Sequence, residues 1–239
     1  MARHAVVAVA DLDPGLVLAP ERYDPARRPG GDRGVPITRV CSLVRATVSK
    51  STRQEAGEPG AFVVIDTSAA REGFLTADRA AVPAAELGST KKLTRPGDVL
   101  VSRLRPYLRQ VAYVDAGAID WERSGLACST EFYVLRSADL RSIAFLVPFL
   151  LSAPVQALLA AAQEGGHHPR VNEATIRSLR LPDRLIAERD RISAAVKRAA
   201  ACHRRAATAI TALTAETAIT AETAPTAEAA DPHAPPPPR

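Results

Sequence analysis

The chain has 239 residues, 46% of them hydrophobic and 24% charged, with a formal net charge of +5. That is enough for one sizeable domain plus an appendage, while no apolar run approaches the roughly 20 residues of a membrane helix, and the apolar stretch at 5–10 is too short for a secretion signal. Three widely spaced cysteines (Cys41, Cys128, Cys202) speak against a disulfide framework, so a cytoplasmic protein with no membrane association is expected.

Residues 1–36 carry Pro14, Pro20, Pro25, Pro29 and Pro36 with a Gly30-Gly31 pair, which disfavours long helices. Short strands are predicted at 6–9 and 40–48. Residues 61–67 read as a buried strand, rich in β-branched and aromatic side chains. The turn signal Pro96-Gly97-Asp98 opens an apolar run at 99–102, which breaks into Arg103, Arg105 and Arg109 interleaved with Pro106 and Tyr107. Strands are predicted at 99–102 and 110–114 around that turn. From Lys91 to Arg109 there are six basic residues (Lys91, Lys92, Arg95, Arg103, Arg105, Arg109) against one acidic residue, Asp98. A cationic strand and loop carrying an aromatic ring suits an anionic polymer better than a small neutral metabolite. An edge strand kept soluble by arginine has the same signature.

A further strand is predicted at 130–136. The period then changes: Phe145, Phe149, Leu150, Val155, Leu158 and Leu159 recur at helical spacing, predicting a helix pair over 142–163 broken at Pro154. Gly165-Gly166 ends it, the loop His167-His168-Pro169-Arg170 follows, and Asn172 is placed to cap a short turn over 173–179. Leu181-Pro182 closes the expected globular part.

From Leu185 onward a 4-3 spacing runs through Leu185, Arg189, Ile192, Val196, Ala199, His203, Ala206, Ile210 and Leu213, a heptad seam of about four repeats. Half of it is alanine or polar, so the helix needs a partner surface, either a second helix or this chain's own domain. Thr-Ala-Glu recurs at 214–216, 220–222 and 226–228 before a proline-rich end, which reads as a low-complexity disordered tail. The expected architecture is α/β (α+β). A domain with a mixed sheet occupies 1–182, a coiled-coil-type spacer helix 183–216 and the tail 217–239.

Taken in order, these features resemble the specificity (S) subunit of type I restriction–modification systems, as one target-recognition domain followed by one spacer helix. The matching residues are Glu21-Arg22-Tyr23-Asp24-Pro25, residues 62–67 with Gly73-Phe74-Leu75, the Gly-Asp turn and Arg105-Pro106-Tyr107-Leu108 within 96–109, and residues 129–135. The helical run, Gly165-Gly166, residues 171–176 and residues 179–182 match the lead-in to the spacer helix. The resemblance spans most of residues 20–200. After Pro182 the family pattern apolar-x-Glu-Gln-x-x-Ile is met at Glu188 and Ile192, with Arg189 in place of the glutamine. Full-length members carry two recognition domains and two spacer helices, and this chain has room for one of each.

The resemblance implies a non-catalytic subunit with no cofactor, which selects double-stranded DNA for partner proteins: an adenine-DNA methyltransferase subunit and a nuclease or translocase. Candidate DNA contacts are Lys91, Lys92, Arg103, Arg105, Tyr107 and Arg109, with His167, His168 and Arg170 as a second patch. Candidate helix-pairing residues are Leu185, Ile192, Val196, Ala199, Ile210 and Leu213, for a homodimer or a pairing with a second specificity chain. The alternative is a protein-binding adaptor in a multi-subunit defence assembly that keeps the recognition fold without reading DNA. Enzyme signatures are scarce: the sequence has no phosphate-binding Gly-x-x-x-x-Gly-Lys loop, zincin helix or nucleophile elbow. The His167-His168 and Cys202-His203 pairs lack metal-ligand spacing.

Overall fold

In the computed structural model, described for residues 34–51, 59–77, 80–165 and 168–222, alternating side chains sort nine of the described strands into two packed sheets, and six more pair as two-stranded ladders. The first strands are β1 (Val35–Pro36), β2 (Cys41–Leu43), β3 (Thr47–Val48), β4 (Ala61–Ile65), β5 (Ala70–Arg71) and β6 (Phe74–Leu75). Then come β7 (Ala81–Pro83), β8 (Lys91–Thr94), β9 (Val99–Ser102), β10 (Val111–Tyr113), β11 (Gly125–Ser129) and β12 (Phe132–Ser137). The remainder is α1 (Leu146–Leu150), α2 (Ala153–Ala161), β13 (Gln163–Glu164), β14 (Arg170–Val171), α3 (Glu173–Arg177), β15 (Arg180–Leu181), α4 (Asp183–Ala187) and α5 (Arg189–Glu222).

One sheet is antiparallel with strand order β10-β9-β12-β2. The other has the order β3-β8-β11-β4-β7 and is mixed, since β11 and β4 run parallel. The period-2 rule of strands divides their side chains. Leu100, Ala112, Phe132 and Val134 of the first sheet meet Val63, Ile65, Leu126 and Cys128 of the second in one core. The alternate positions Val99, Val101, Val111, Tyr113, Tyr133 and Leu135 face a second core formed with Ile143, Phe145, Leu146, Leu150, Val155, Leu159 and Ile176. The four-stranded sheet is therefore covered on both faces, which is why β9 and β12 read as continuous apolar runs.

Several strands match the expected positions, and the differences have local causes. The segment 40–48 forms two strands, because Cys41 serves the helix-side core, Val44 the inter-sheet core and Val48 the outer face of the five-stranded sheet. Pro154 does not break the helix pair. It occupies the first turn of α2, where its missing N–H costs nothing, and the interruption falls at Leu151 and Ser152. Asn172 does cap α3, its Oδ1 accepting from Thr175 N at 2.8 Å. The strand expected at 6–9 lies outside the described residues.

Leu181-Pro182 does not close the globular part. Leu181 is buried and pairs with Val35, and Gly34, at φ +108°, packs where a Cβ would meet the Leu181 carbonyl oxygen at 2.5 Å. The chain forms two compact units that meet between Arg204 and Arg205. Within the first, Arg189 begins α5 with its side chain only 3% exposed. Its Nη1 and Nη2 donate to Asp139 at 2.7 and 2.9 Å, Nε donates to Ser142 O at 2.9 Å, and the guanidinium lies over the Phe145 ring. One turn on, Ser193 Oγ accepts from Phe145 N at 3.2 Å. Arg204 Nε donates to Asp115 at 2.7 Å over Gly117, where a Cβ would collide with the guanidinium.

These contacts revise the seam. Leu185, Ile192 and Val196, expected at a helix-pairing interface, pack against the chain's own helix-side core. Ala199 is exposed and its neighbour Ala200 is buried. The 4-3 spacing through Val196 records docking on the domain. In the second unit α5 continues to Glu222, beyond the expected end at 216. Ile210 and Leu213 there are exposed, and Thr211 and Thr214 donate back to the carbonyls of Ala207 and Ile210. Residues 223–239 lie outside the described part. No helix among the described residues is long and apolar enough to cross a membrane.

Arg189→Ala removes a buried cation, its bonds to the carbonyls of Ser142 and Arg141, and its two bonds to the Asp139 carboxylate, which keeps those from Ser137 Oγ and Arg141 N. With Asp139 partly exposed, the expected loss is about 2–3 kcal/mol, read as a lower urea midpoint at unchanged slope. The hydrogen bonds from Arg189 hold the Asp139 carboxyl well below the usual aspartate value of 3.8. A depressed folded-state pKa stabilises above the unfolded value and loses that contribution as pH falls below it. The wild-type chain is therefore expected to lose stability more steeply than Arg189→Ala as the pH drops below about 4.

Candidate nucleic-acid interface

The strand β9 ends at Ser102 and delivers Arg103 to one end of the four-stranded sheet. Four other segments reach the same place. Arg103 N donates to Glu131 O at 2.8 Å, which brings in the β11–β12 turn, and Val171 N donates to Arg103 O at 2.9 Å, which brings in β14. The hydroxyl of Tyr133, on β12, donates to Val171 O at 2.9 Å. Lys92, on β8, donates its Nζ to Phe132 O at 2.6 Å. Both Lys92 Nζ and the Arg103 guanidinium lie 5.5 Å from the Tyr133 ring centroid.

This junction gathers expected contact residues separated by nearly 80 positions in sequence, and it does not use them alike. Arg170 is bound to Glu131, with Nη2 at 2.7 Å and Nε at 3.0 Å from the carboxylate oxygens. That hydrogen bonding holds the Glu131 carboxyl below its ordinary value. Lys92 is half-buried; desolvation lowers its pKa, and the charges of Arg103 and Arg45 push the same way. Lys91 pairs in register with Ser129 and donates to Ser89 Oγ at 2.6 Å. The Arg103 Nε is buried and has no hydrogen-bond partner among the described residues.

Beyond Leu104, which bridges to Arg170, the chain makes the turn Pro106–Leu108. It is flanked by two non-glycine residues in the left-handed region, Arg105 at φ 43° and Arg109 at φ 52°. Each such residue costs on the order of 1–3 kcal/mol unless its surroundings over-determine it. Here the backbone is held closed by Leu108 N to Arg105 O at 2.9 Å, Arg109 N to Pro106 O at 2.8 Å and Glu72 N to Arg109 O at 3.0 Å. Pro106 is buried and Tyr107 is 72% exposed. The Arg105 side chain is exposed with no ion-pair or hydrogen-bond partner among the described residues, while Arg109 faces Glu72 at 3.5 Å.

His168 is exposed and its carbonyl accepts from Arg170 Nη1 at 3.0 Å, a backbone role; His167 lies outside the described residues. His203 stacks on Phe74 with ring centroids 4.2 Å apart. Cys128 is a buried strand thiol, pushed up to about 12 by desolvation. Four residues at or beside the junction were not among the expected contacts: Arg45, Glu131, Glu173 and Arg177. Arg45 binds Glu173 from 128 positions away, a separation for which no local pattern exists.

No protein-family model matches the chain, and no curated protein matches it. Among solved structures it is similar to a chain from work on complex assembly and conformational transition of the type I R-M system, with 22% identity, 84% of this chain and 51% of that chain covered, and a TM-score of 0.49. It is also similar to the crystal structure of the HsdS subunit from Thermoanaerobacter tengcongensis, with 23% identity, the same coverages and a TM-score of 0.47. The chain spans about half the length of each.

Tyr133→Phe keeps the ring that Lys92 and Arg103 overlie and deletes the bond to Val171 O. Stability is expected to fall by about 1 kcal/mol in urea titration. The amide of Val171, which holds β14 to Arg103, is expected to exchange faster by hydrogen-exchange mass spectrometry.

Proposed function

We propose that this chain is a non-catalytic DNA-reading module of the cytoplasm. It binds double-stranded DNA through the basic end of its four-stranded sheet and directs a partner adenine-DNA methyltransferase, with a nuclease or translocase, to a target sequence. The turn at 105–109 carries this reading. It spends backbone strain to present an unpaired arginine and an exposed tyrosine, and observed strain of this kind points to a site. Next to it, Lys91, Lys92, Arg103 and Arg170 extend the positive surface. Arginine and lysine on phosphates give affinity through counterion release, and side chains at base edges give sequence choice. In this reading Arg105, Tyr107 and Arg109 reach the duplex, while Lys92 and Arg170 shape the platform beneath them.

The rest of α5 completes the proposal. The reader extends through Arg204, and pairing with a helix of a second copy or of another specificity chain falls to the segment bearing Ile210 and Leu213. Two readers joined that way recognise a split sequence with a fixed gap, palindromic for a homodimer.

Arg105→Asn combined with Arg109→Asn tests the first part, because asparagine tolerates the left-handed backbone while the charges are lost. By fluorescence anisotropy on duplex oligonucleotides the double variant is expected to bind about 10–100-fold more weakly at low salt, with a log–log salt slope smaller by about 2. Unchanged affinity and slope would remove the turn from the interface. For the second part, Ile210→Asp with Leu213→Asp is expected to shift sedimentation from dimer to monomer without altering the urea midpoint of the domain, because both side chains are exposed in the single chain.

A further inference from the structure

The junction continues onto cations that no sequence pattern marked. Glu173, the first residue of α3, places Oε1 and Oε2 at 2.5 and 2.6 Å from Arg45 Nη2, and Oε1 also accepts from Arg177 Nε at 2.7 Å. Arg45 is 71% exposed and Arg177 about half exposed, so both guanidiniums stand at the surface with one carboxylate between them. Burial opposes ionisation of Glu173, but the two arginines outweigh it and its pKa lies below the ordinary glutamate value.

The same surface holds Lys92, whose pKa responds to Arg45, Glu173 and Arg103, and Glu131, which responds to Arg170, Arg103 and Lys92. Five cations (Arg45, Lys92, Arg103, Arg170, Arg177) therefore surround two carboxylates, and the patch stays positive with both ionised. Ion pairs this exposed contribute little to folding. Nor does α3 need Glu173 to start, since Asn172 Oδ1 already accepts from Thr175 N and Oγ1 at 2.8 and 2.9 Å. What the arrangement does offer is chemical mimicry. A guanidinium donates its N–H groups to the oxygens of a carboxylate or of a phosphate alike.

We propose that Arg45 and Arg177 contact the phosphate backbone of the bound duplex, and that Glu173 occupies their donors in the free protein as an internal substitute for a phosphate, displaced when DNA docks. This inference rests on the DNA-reading assignment above and adds to it a second contact region and a built-in competitor. Because phosphate contacts carry no sequence information, such a competitor weakens the hold on arbitrary DNA, leaving base contacts to decide where the chain stays.

The experiment is anisotropy with a fluorescein-labelled duplex of random sequence, on the full chain, across a salt titration. Glu173→Gln is expected to bind about 3–10-fold more tightly than wild type at low salt. The control Glu122→Gln, which makes the same change in net charge in the loop before β11, at the opposite end of that strand from Lys91 and Ser129, is expected to differ by less than about 2-fold. Adding Arg45→Ala to Glu173→Gln is expected to abolish the gain. If wild type binds the duplex but Glu173→Gln matches Glu122→Gln, or the gain survives Arg45→Ala, the substitute-phosphate role is overturned and the DNA-reading assignment stands. If wild type does not bind duplex at low salt, both fall.

Discussion

A carboxylate with 1% exposure, Asp98, sits where the chain leaves one sheet and enters the other, and the arrangement of the candidate site follows from it. Its Oδ2 accepts from Arg95 N at 2.9 Å and Thr94 Oγ1 at 3.2 Å, closing the turn after β8. Arg136 of β12 completes the cage, Nε to Oδ1 at 2.9 Å and Nη2 to Oδ2 at 2.7 Å. Around it Gly97 N donates to Val114 O and Val114 N to Asp98 O. The Asp98 side chain thus ties the end of β8 to β12 at the start of β9, and the backbone of Gly97 and Asp98 adds Val114 at the end of β10. Breaking a pair like this by removing one partner is costly, because the other charge is left uncompensated. With the far corner fixed, the length of β9 alone determines where Arg103 emerges, and the inter-sheet core determines which way it faces.

At the opposite end of β9 the same logic runs with looser joints. Glu131 holds Arg170 through a side chain that is only partly covered, whereas Tyr133, itself buried, holds the buried Val171, so β13 and β14 are anchored at Val171 while Gln163, Glu164 and Arg170 stay partly exposed. Regions with few buried contacts open most readily. The turn at 105–109 is braced by the buried Pro106 and by the Glu72 amide.

The sequence was most legible where β-branched and aromatic residues run through a strand buried on both faces. Val99, Val101, Phe132 and Val134 are β-branched or aromatic, and both strands lie close to where those runs suggested. Asn172 carried its capping role in its own chemistry. β11 escaped notice because Gly125, Ala127 and Cys128 are small, a requirement set by Phe62 and the neighbouring strands that no local pattern reveals. The helical seam misled for the opposite reason. A 4-3 repeat reports an apolar stripe without naming what covers it, and through Val196 the cover is the chain's own domain. Arg189 looked like a lost glutamine, yet its planar fork fills a socket made by Asp139, Arg141 and Ser142 that glutamine has too few donors to fill.

Counting charges overstated the site in one sense and understated it in another. Of the cations between Lys91 and Arg109, Lys92 bonds a backbone carbonyl and Arg109 faces Glu72, so the local excess seen in the sequence shrinks once neighbours are in place. Farther along, Arg136, Arg189 and Arg204 each hold a carboxylate in the fold. An arginine-rich composition therefore measures how the chain was stapled as much as what it binds. The discriminating feature is an arginine without a carboxylate, placed on backbone that resists moving. Arg105 meets both conditions, and Arg45 and Arg177 would meet the first as soon as Glu173 let go. In the interface we propose, specificity and restraint would share one mechanism: internal carboxylates would hold the general attraction for phosphate in check, and only a duplex whose shape fits the strained turn would recover what their displacement costs.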